Sequence, residues 1–175
     1  ARLVELVPQI DGPITLTGEA LADGANWGVV TELTAPFETR ATIDAKLPEG
    51  APITLSYAVD IGAPEPLVPI LNGPVNLSGE ADNTGGEWRT EARVTGPYET
   101  RALVEAALGQ EATEITYRLA TSYGETLSPL LNTELTAVGN ARQAPGGPWI
   151  VGADVTGPFE ARARVDGTYA GETYG

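Results

Sequence analysis

The sequence predicts an all-β protein: an elongated, curled β-sheet trough built from about three tandem repeats, with little or no helix. The first observation is a period, because Trp27, Trp88 and Trp149, the only tryptophans, follow one another at a spacing of 61 residues. The second is that four short runs of alternating apolar and polar residues, typical of half-buried strands, fit into one period. The third is that no run of a dozen residues shows the helical period of about 3.6 residues.

Three stretches of the chain are copies of one another: residues 27–40, 88–101 and 149–162. Each runs from its tryptophan to an arginine and holds the order Pro, aromatic residue, Glu, any residue, Arg. Self-similarity at a fixed period indicates a repeat architecture. We therefore expect one elongated repeat domain, 1–175, with units at approximately 11–71, 72–132 and 133–175, and with residues 1–10 as the tail of a preceding unit.

Each unit is expected to open with a strand and a turn. Residues 14–19 and 75–80 alternate apolar and polar side chains, and residues 135–139 do so more weakly. The glycine-containing turns that follow, such as residues 22–25 and 83–86, are typical of hairpin connections. The tryptophan strand comes next, and in its second copy every charged residue lies on the face opposite Trp88.

The second half of the unit is predicted to hold two more strands and a connector. An Ala-Pro or Gly-Pro pair turns the chain into a third strand, which begins at Phe37 in the first unit. Residues 53–61 alternate as a fourth strand, with a counterpart at 115–119 and none in the third unit. Residues 62–69 form a Pro-rich connector that we expect to be a loop, a short helical turn or an edge segment, because proline cannot donate to a sheet ladder. Residues 127–132 are a looser third copy of an order, Val-Pro and then Asx-Gly-Pro, that is shared by residues 7–13 and 68–74.

Composition excludes several classes of function. The net charge of −14 argues against nucleic acid and against an anionic membrane surface as partners. The absence of cysteine and histidine removes disulfides, thiolate metal sites and the commonest general base. No apolar run approaches the roughly 18 residues of a transmembrane helix, and no signal peptide is visible. The chain begins at Ala1, so we expect a mature or excised segment.

Strands with one apolar face allow two architectures. The units could close on themselves in a barrel, trefoil or sandwich, or they could extend one long sheet that curls around its apolar side. The repeat starts and stops out of phase, and the third unit lacks its fourth strand. This favours an excised piece of a longer array.

A recurrent order of residues is similar to that of a known repeat family. Residues 6–8 (Leu-Val-Pro) precede residues 12–20 (GPITLTGEA), and residues 67–69 (Leu-Val-Pro) precede residues 73–81 (GPVNLSGEA). A glycine turn, a tryptophan strand and a further Pro follow in each unit. Over nearly the whole chain this order resembles the repeats of the TamB family in the AsmA-like superfamily.

The third unit departs from the family order, with Thr133-Glu134 in place of Gly-Pro and Gly139-Asn140 in place of Gly-Glu. The resemblance implies a long periplasmic protein tethered to the inner membrane by an N-terminal helix, with its sheet bent into a U-shaped trough (a β-taco) that has an apolar interior. It also implies phospholipid transport to the outer membrane and, with an outer-membrane barrel partner, assembly of outer-membrane proteins. This chain would be an internal segment, flanked by further repeats.

The apolar parity of the strands is the predicted hydrophobic groove, which would hold phospholipid or another hydrophobic chain, while the charged parity meets water. The same alternation describes the buried face of any sheet domain, so an ordinary packed core is the alternative. The predicted lining residues are Ile14, Leu16, Trp27, Val29, Leu33, Phe37, Ile43, Leu47, Ile53, Leu55, Tyr57, Val59, Val75, Leu77, Trp88, Val94, Tyr98, Val104, Leu108, Ile115, Tyr117, Leu119, Leu135, Trp149, Val151, Val155, Phe159 and Val165.

Other candidate sites are weaker. The tryptophans could stack on sugars, but one per repeat on the apolar parity is more typical of packing. Pairs such as Glu38 and Arg40 could mark a partner surface, and Asp82-Asn83 could contribute to a calcium loop that is otherwise incomplete. Nothing selects one pair among 24 acidic residues for hydrolysis, so we predict no enzyme, no metal and no cofactor. The alternative function is a structural or adhesive repeat protein, from a surface or phage appendage, with closed apolar cores.

Overall fold

A computed structural model describes residues 12–66, 71–122 and 133–169, and these form one antiparallel sheet. Its eleven strands lie in the order of the chain, each paired with the strands before and after it. Three of the segments named above lie outside the described residues: the predicted tail at residues 1–10, the end of the connector at residues 67–69, and the looser copy at residues 127–132. The strands are β1 (Thr15–Asp23), β2 (Asn26–Ala35), β3 (Thr39–Leu47), β4 (Ile53–Ile61), β5 (Val75–Thr84), β6 (Glu87–Gly96), β7 (Thr100–Leu108), β8 (Thr113–Thr121), β9 (Leu135–Gln143), β10 (Trp149–Thr156) and β11 (Arg162–Tyr169).

The sheet runs without a break across the predicted unit boundaries. The last strand of one unit pairs antiparallel with the first strand of the next, so that Ile61 lies opposite Val75 and Thr121 lies opposite Leu135. Within the described residues, β1 and β11 are the two free edges and do not pair with each other. The units therefore extend one open sheet, and the closed units of the alternative architecture are not formed. Ten spacings of about 4.8 Å make the sheet about 48 Å wide across its strands.

The opening strands of the units are longer than the sequence pattern indicates. Runs of five or six residues were predicted, but β1 and β9 each have nine. The alternation is interrupted because Leu21 and Val138 are apolar on the polar parity and Ala20 and Ala22 are small, yet the ladder between β1 and β2 continues to Asp23 opposite Asn26. The turn between β1 and β2 is correspondingly short, and Gly24 occupies the left-handed region with φ +63°.

The predicted start of the third strand at the aromatic residue is wrong in all three units. The strands begin at Thr39, Thr100 and Arg162, and the preceding residues form tight turns. In the first turn, Phe37 and Glu38 both have positive φ, of 65° and 55°, and Thr39 N donates to Pro36 O at 3.3 Å. Proline cannot join the ladder at this point, so the chain reverses immediately after it. The third of these turns, Pro158–Glu160, is a single 3-10 turn in which Phe159 and Glu160 also have positive φ. It is the one helical element among the described residues.

No second layer covers the sheet within the described residues. Of the residues that the structure describes, the buried apolar ones are Ala92, 8% exposed, and two prolines in a connector and a turn, Pro64 and Pro158. Among the described residues, the main contacts of each strand are with the strands that neighbour it in sequence. An ordinary packed core, which the alternation also allowed, is therefore not present in this part of the chain.

Candidate functional site

Cross-strand register places the predicted lining residues that lie within strands on one face, which we call the apolar face. Residues opposite each other in a ladder share a face, and the face alternates along each strand. Leu33 lies opposite Leu16 and Ala41, and Leu77 lies opposite Val59 and Val94. The central row of this face crosses the whole sheet through Gly18, Thr31, Ile43, Tyr57, Gly79, Ala92, Val104, Tyr117, Gly139, Ala153 and Val165.

Large side chains on the apolar face remain open to solvent. Leu16 is 65% exposed, Trp27 51% and Ile43 46%, whereas Tyr57 and Val104 are half-buried by their neighbours on the face. Soluble monomers rarely leave apolar patches of more than a few hundred Å² uncovered, and such patches mark sites of interaction. The apolar face is therefore the strongest candidate binding surface of the described chain.

Aromatic residues lie at both ends of the strands. Trp27, Trp88 and Trp149 stand at or near the start of the second strand of each unit, on the apolar face; Trp88 lies between Asn83 and Leu108. Phe37, Tyr98 and Phe159, predicted to line the groove from a strand, lie instead in the tight turns at the opposite end. Phe159 is 81% exposed. The two aromatic rows are thus separated by the length of one strand, about 30 Å for nine residues.

Two tyrosines of the apolar face lie over glycines of the next strand. Tyr57 is opposite Gly79, and its hydroxyl is 2.8 Å from Oγ1 of Thr90, which in turn donates to Glu80 O at 2.9 Å. Tyr117 is opposite Gly139 in the same way. Neither glycine was among the predicted site residues. Glycine at the same position of a strand in successive units is a signal that another residue packs closely against the backbone there.

The opposite face, which we call the polar face, carries most of the charges, and some of them form ion pairs between exposed side chains. Arg93 pairs with Glu91, and Arg89 Nε lies 3.0 Å from Glu87 Oε1. Arg101 Nη2 contacts both carboxylate oxygens of Glu134, at 2.7 and 2.8 Å, and so joins β7 to the segment that precedes β9. Exposed pairs of this kind contribute little stability, so the face is primarily a water-facing surface.

The pKa of the Arg164 guanidinium is raised by a hydrogen bond from it to Asp166, and further by the negative charges of Asp166 and Asp154. Arg164 lies opposite Asp154 in the β10–β11 ladder, so this attraction acts between the edge strand and its neighbour on the polar face, while the hydrogen bond to Asp166 stays within β11. Because arginine is protonated at every ordinary pH, this shift does not create a pH switch.

The polar face also carries the larger concavities of the sheet. One, of about 680 Å³, is lined by residues that include Glu80, Glu91 and Glu105. A second, of about 830 Å³, includes Arg118 and Ile150. The concavities and the continuous apolar surface therefore lie on opposite sides of the sheet.

Within the described ranges, no three or more acidic side chains come together as a metal-binding group. Among the same residues, no helix has both the length and the apolar character needed to cross a membrane. Comparison with protein-family models, with curated proteins and with solved structures gave no match.

Proposed function

We propose that this chain is a segment of a periplasmic, bridge-like protein whose apolar face carries the acyl chains of phospholipid between the inner and outer membranes. Assistance to outer-membrane protein assembly would use the same surface for another hydrophobic chain. The observation that carries the proposal is an apolar face that continues over eleven strands and is not covered by a second layer in the described residues. The periplasmic setting is taken from the resemblance to TamB-like repeats.

The chemistry of the two faces suits this role. An acyl chain needs contact with aliphatic and aromatic side chains, and each buried methylene contributes about 0.8 kcal/mol. Leu33, Leu55, Leu77 and Val94 supply such contacts on neighbouring strands of one face. The charged side chains on the other face keep the sheet in water. No reacting group is needed, so the proposed role is not enzymatic and uses no cofactor or metal.

The curl that would turn the apolar face into a groove is part of the proposal. The concavities described above lie on the polar face and do not support a groove on the apolar face. The support for the role is instead the openness and the composition of the apolar face. In the full-length protein, flanking repeats would extend the same sheet toward an inner-membrane tether, and an outer-membrane barrel would be its partner.

Charges placed on the apolar face test the proposal. We expect Val104→Asp and Leu55→Arg each to weaken binding of a fluorescent phosphatidylethanolamine by at least about tenfold, or about 1.4 kcal/mol. Because both side chains lie on an uncovered face, the new charge still reaches water, and the variants should stay folded. The measurement is equilibrium binding of the probe, with circular dichroism melts of each variant.

Matched controls lie on the polar face. Leu103→Asp places the same acid one residue from Val104, between Arg93 and Arg118, and Thr42→Arg places the same base opposite Glu32. Both should bind the lipid as the wild type does. Folded apolar-face variants with undiminished binding would contradict the lipid role, and loss of folding in both would indicate that these positions belong to a closed core.

A further inference from the structure

The tyrosine–glycine contacts recur wherever one unit meets the next. A Cβ added to Gly79 would lie 2.5 Å from the Tyr57 hydroxyl and 2.6 Å from Cζ of the ring. A Cβ added to Gly139 would collide with the Tyr117 hydroxyl and would lie 2.5 Å from its Cζ. The same Cβ atoms would also collide with backbone carbonyl oxygens of the following strand, Glu91 O and Gly152 O. Real Cβ atoms do not approach other atoms this closely, so glycine is required where the ring and the following strand both crowd its Cα. The β4–β5 and β8–β9 interfaces therefore share one contact that sets their register.

Strand β1 is the first-unit counterpart of β5, and it carries the same glycine without the tyrosine. Gly18 precedes Gly79 by one period of 61 residues and lies opposite Thr31 as Gly79 lies opposite Ala92. The nearest atoms to a Cβ added to Gly18 would be Val30 O, at 3.2 Å, and Oγ1 of Thr31, at 3.3 Å, and no tyrosine is among the three nearest. Every residue of β1 is exposed. The space that a tyrosine ring fills above Gly79 is therefore open above Gly18.

We propose that the free edge of β1 is an acceptor for an antiparallel strand of the β4 type, with a tyrosine placed opposite Gly18. The donor is a strand from another unit of this repeat. Continuity with the two established interfaces, β4–β5 and β8–β9, identifies the pattern of the donor: alternating apolar and polar residues around a central tyrosine. Residues 1–11 contain no tyrosine, so their sequence does not match this pattern. This inference rests on the proposed extension of the sheet by flanking repeats, and it is independent of what the apolar face carries.

The opposite edge provides an internal reference. A β4-type strand pairs on its other side with β3 or β7, where its tyrosine lies opposite Ile43 or Val104. Strand β11 is their third-unit counterpart, and Val165 stands where Val104 stands one period earlier. A free β4 strand should therefore dock on both edges, but only the β1 edge requires a glycine.

A synthetic peptide of residues 53–61, the β4 sequence, is the probe. Added to the whole chain, it should slow amide exchange in β1 and in β11, as measured by hydrogen–deuterium exchange. In Gly18→Val the affinity at β1 should fall by at least tenfold, while docking at β11 is unchanged. Exchange of the β1–β2 amides in the free variant shows whether β1 itself remains paired with β2.

Variant peptides test the same contact without altering the protein. A Tyr57→Ala peptide should lose the β1 docking at least tenfold. A Tyr57→Phe peptide should dock at β1 as well as the parent does. In the second unit the tyrosine hydroxyl is hydrogen-bonded to Thr90, but the residue one period earlier is Val29, which offers no hydrogen bond. No protection of β1 by the parent peptide would overturn the acceptor edge. Equal docking of the parent and Tyr57→Ala peptides, or equal docking on Gly18→Val with β1 still paired, would overturn the role of the tyrosine–glycine contact.

Discussion

Three glutamates face one another at the centre of the polar face. Glu80 on β5 lies opposite Glu91 on β6, which lies opposite Glu105 on β7. Like charges directly opposite in a ladder destabilise a sheet. Arg93 offsets part of this at Glu91, and Thr116 Oγ1 donates to Glu105 at 3.1 Å. The repulsion that remains is concentrated on Glu80.

We expect Glu80→Gln to stabilise the protein by about 0.2–1 kcal/mol, because it removes a charge opposite Glu91 and keeps the size of the side chain. The matched control is Glu19→Gln, one period earlier, where the opposite residue is Val30. It should change the stability by less. Urea denaturation at low salt measures both, and the difference should shrink at 1 M salt, where the Debye length is about 3 Å. Equal effects of the two substitutions would show that cross-strand repulsion is not the cause.

The hairpins with non-glycine residues at positive φ are the most strained elements. Turns that need positive φ at both central residues favour Asn-Gly or Gly-Gly, yet Phe37-Glu38 occupies one of them. The following connector supports the strained turn: Ala63 N donates to Phe37 O at 3.0 Å, and Ser122 N donates to Tyr98 O at 2.8 Å. These bonds join the turn before the third strand of a unit to the residues that follow its fourth strand, which explains how the turn persists.

A glycine substitution in the third unit should relieve this strain, because Glu160 has φ 59° and is exposed. Glu160→Gly should be more stable than Glu160→Ala by about 1 kcal/mol, because a Cβ in the left-handed region costs roughly 1–2 kcal/mol and glycine loses part of that gain as chain entropy. The alanine variant removes the same carboxylate and so isolates the backbone effect. Chemical denaturation of the pair measures it, and an alanine variant as stable as the glycine variant would refute the strain.

The face on which each strand residue lies could be predicted from the sequence, but the residues at which the strands begin and end could not. A period of two fixes which side chains share a face, so Ile43, Leu55 and Val104 could be grouped without coordinates. The turn at Phe37 could not be predicted, because Phe-Glu carries no signal for positive φ and its support comes from Ala63, 26 positions later. Curvature is also beyond the pattern, since it depends on how side chains fill both faces of a twisted sheet.

The whole molecule is a sheet with surface on both sides. Its accessible surface is 12445 Å², against about 8,100 Å² expected for a compact protein of 18.2 kDa. Stability then comes from a series of interfaces between neighbouring strands, as in repeat proteins, and not from one shared core. Such a chain gains free energy from any ligand that covers its apolar face, which links the proposed lipid role to the folding of the sheet.

Opening of the sheet should begin at its free edges. A residue in β1 or β11 has a neighbouring strand on one side only, and every side chain of both strands is exposed, whereas Ala92 in the middle is buried. We expect the amides of β5–β8 to exchange at least about a hundredfold more slowly than those of β1 and β11, which corresponds to about 2.8 kcal/mol of additional opening free energy. Hydrogen–deuterium exchange of the ligand-free chain measures this profile. A single exchange rate across all eleven strands would mean that the sheet opens as one cooperative unit, and strand-by-strand interfaces would not describe its stability. A gradient from both edges toward β6 would mean that an edge strand can detach and pair again without unfolding the centre.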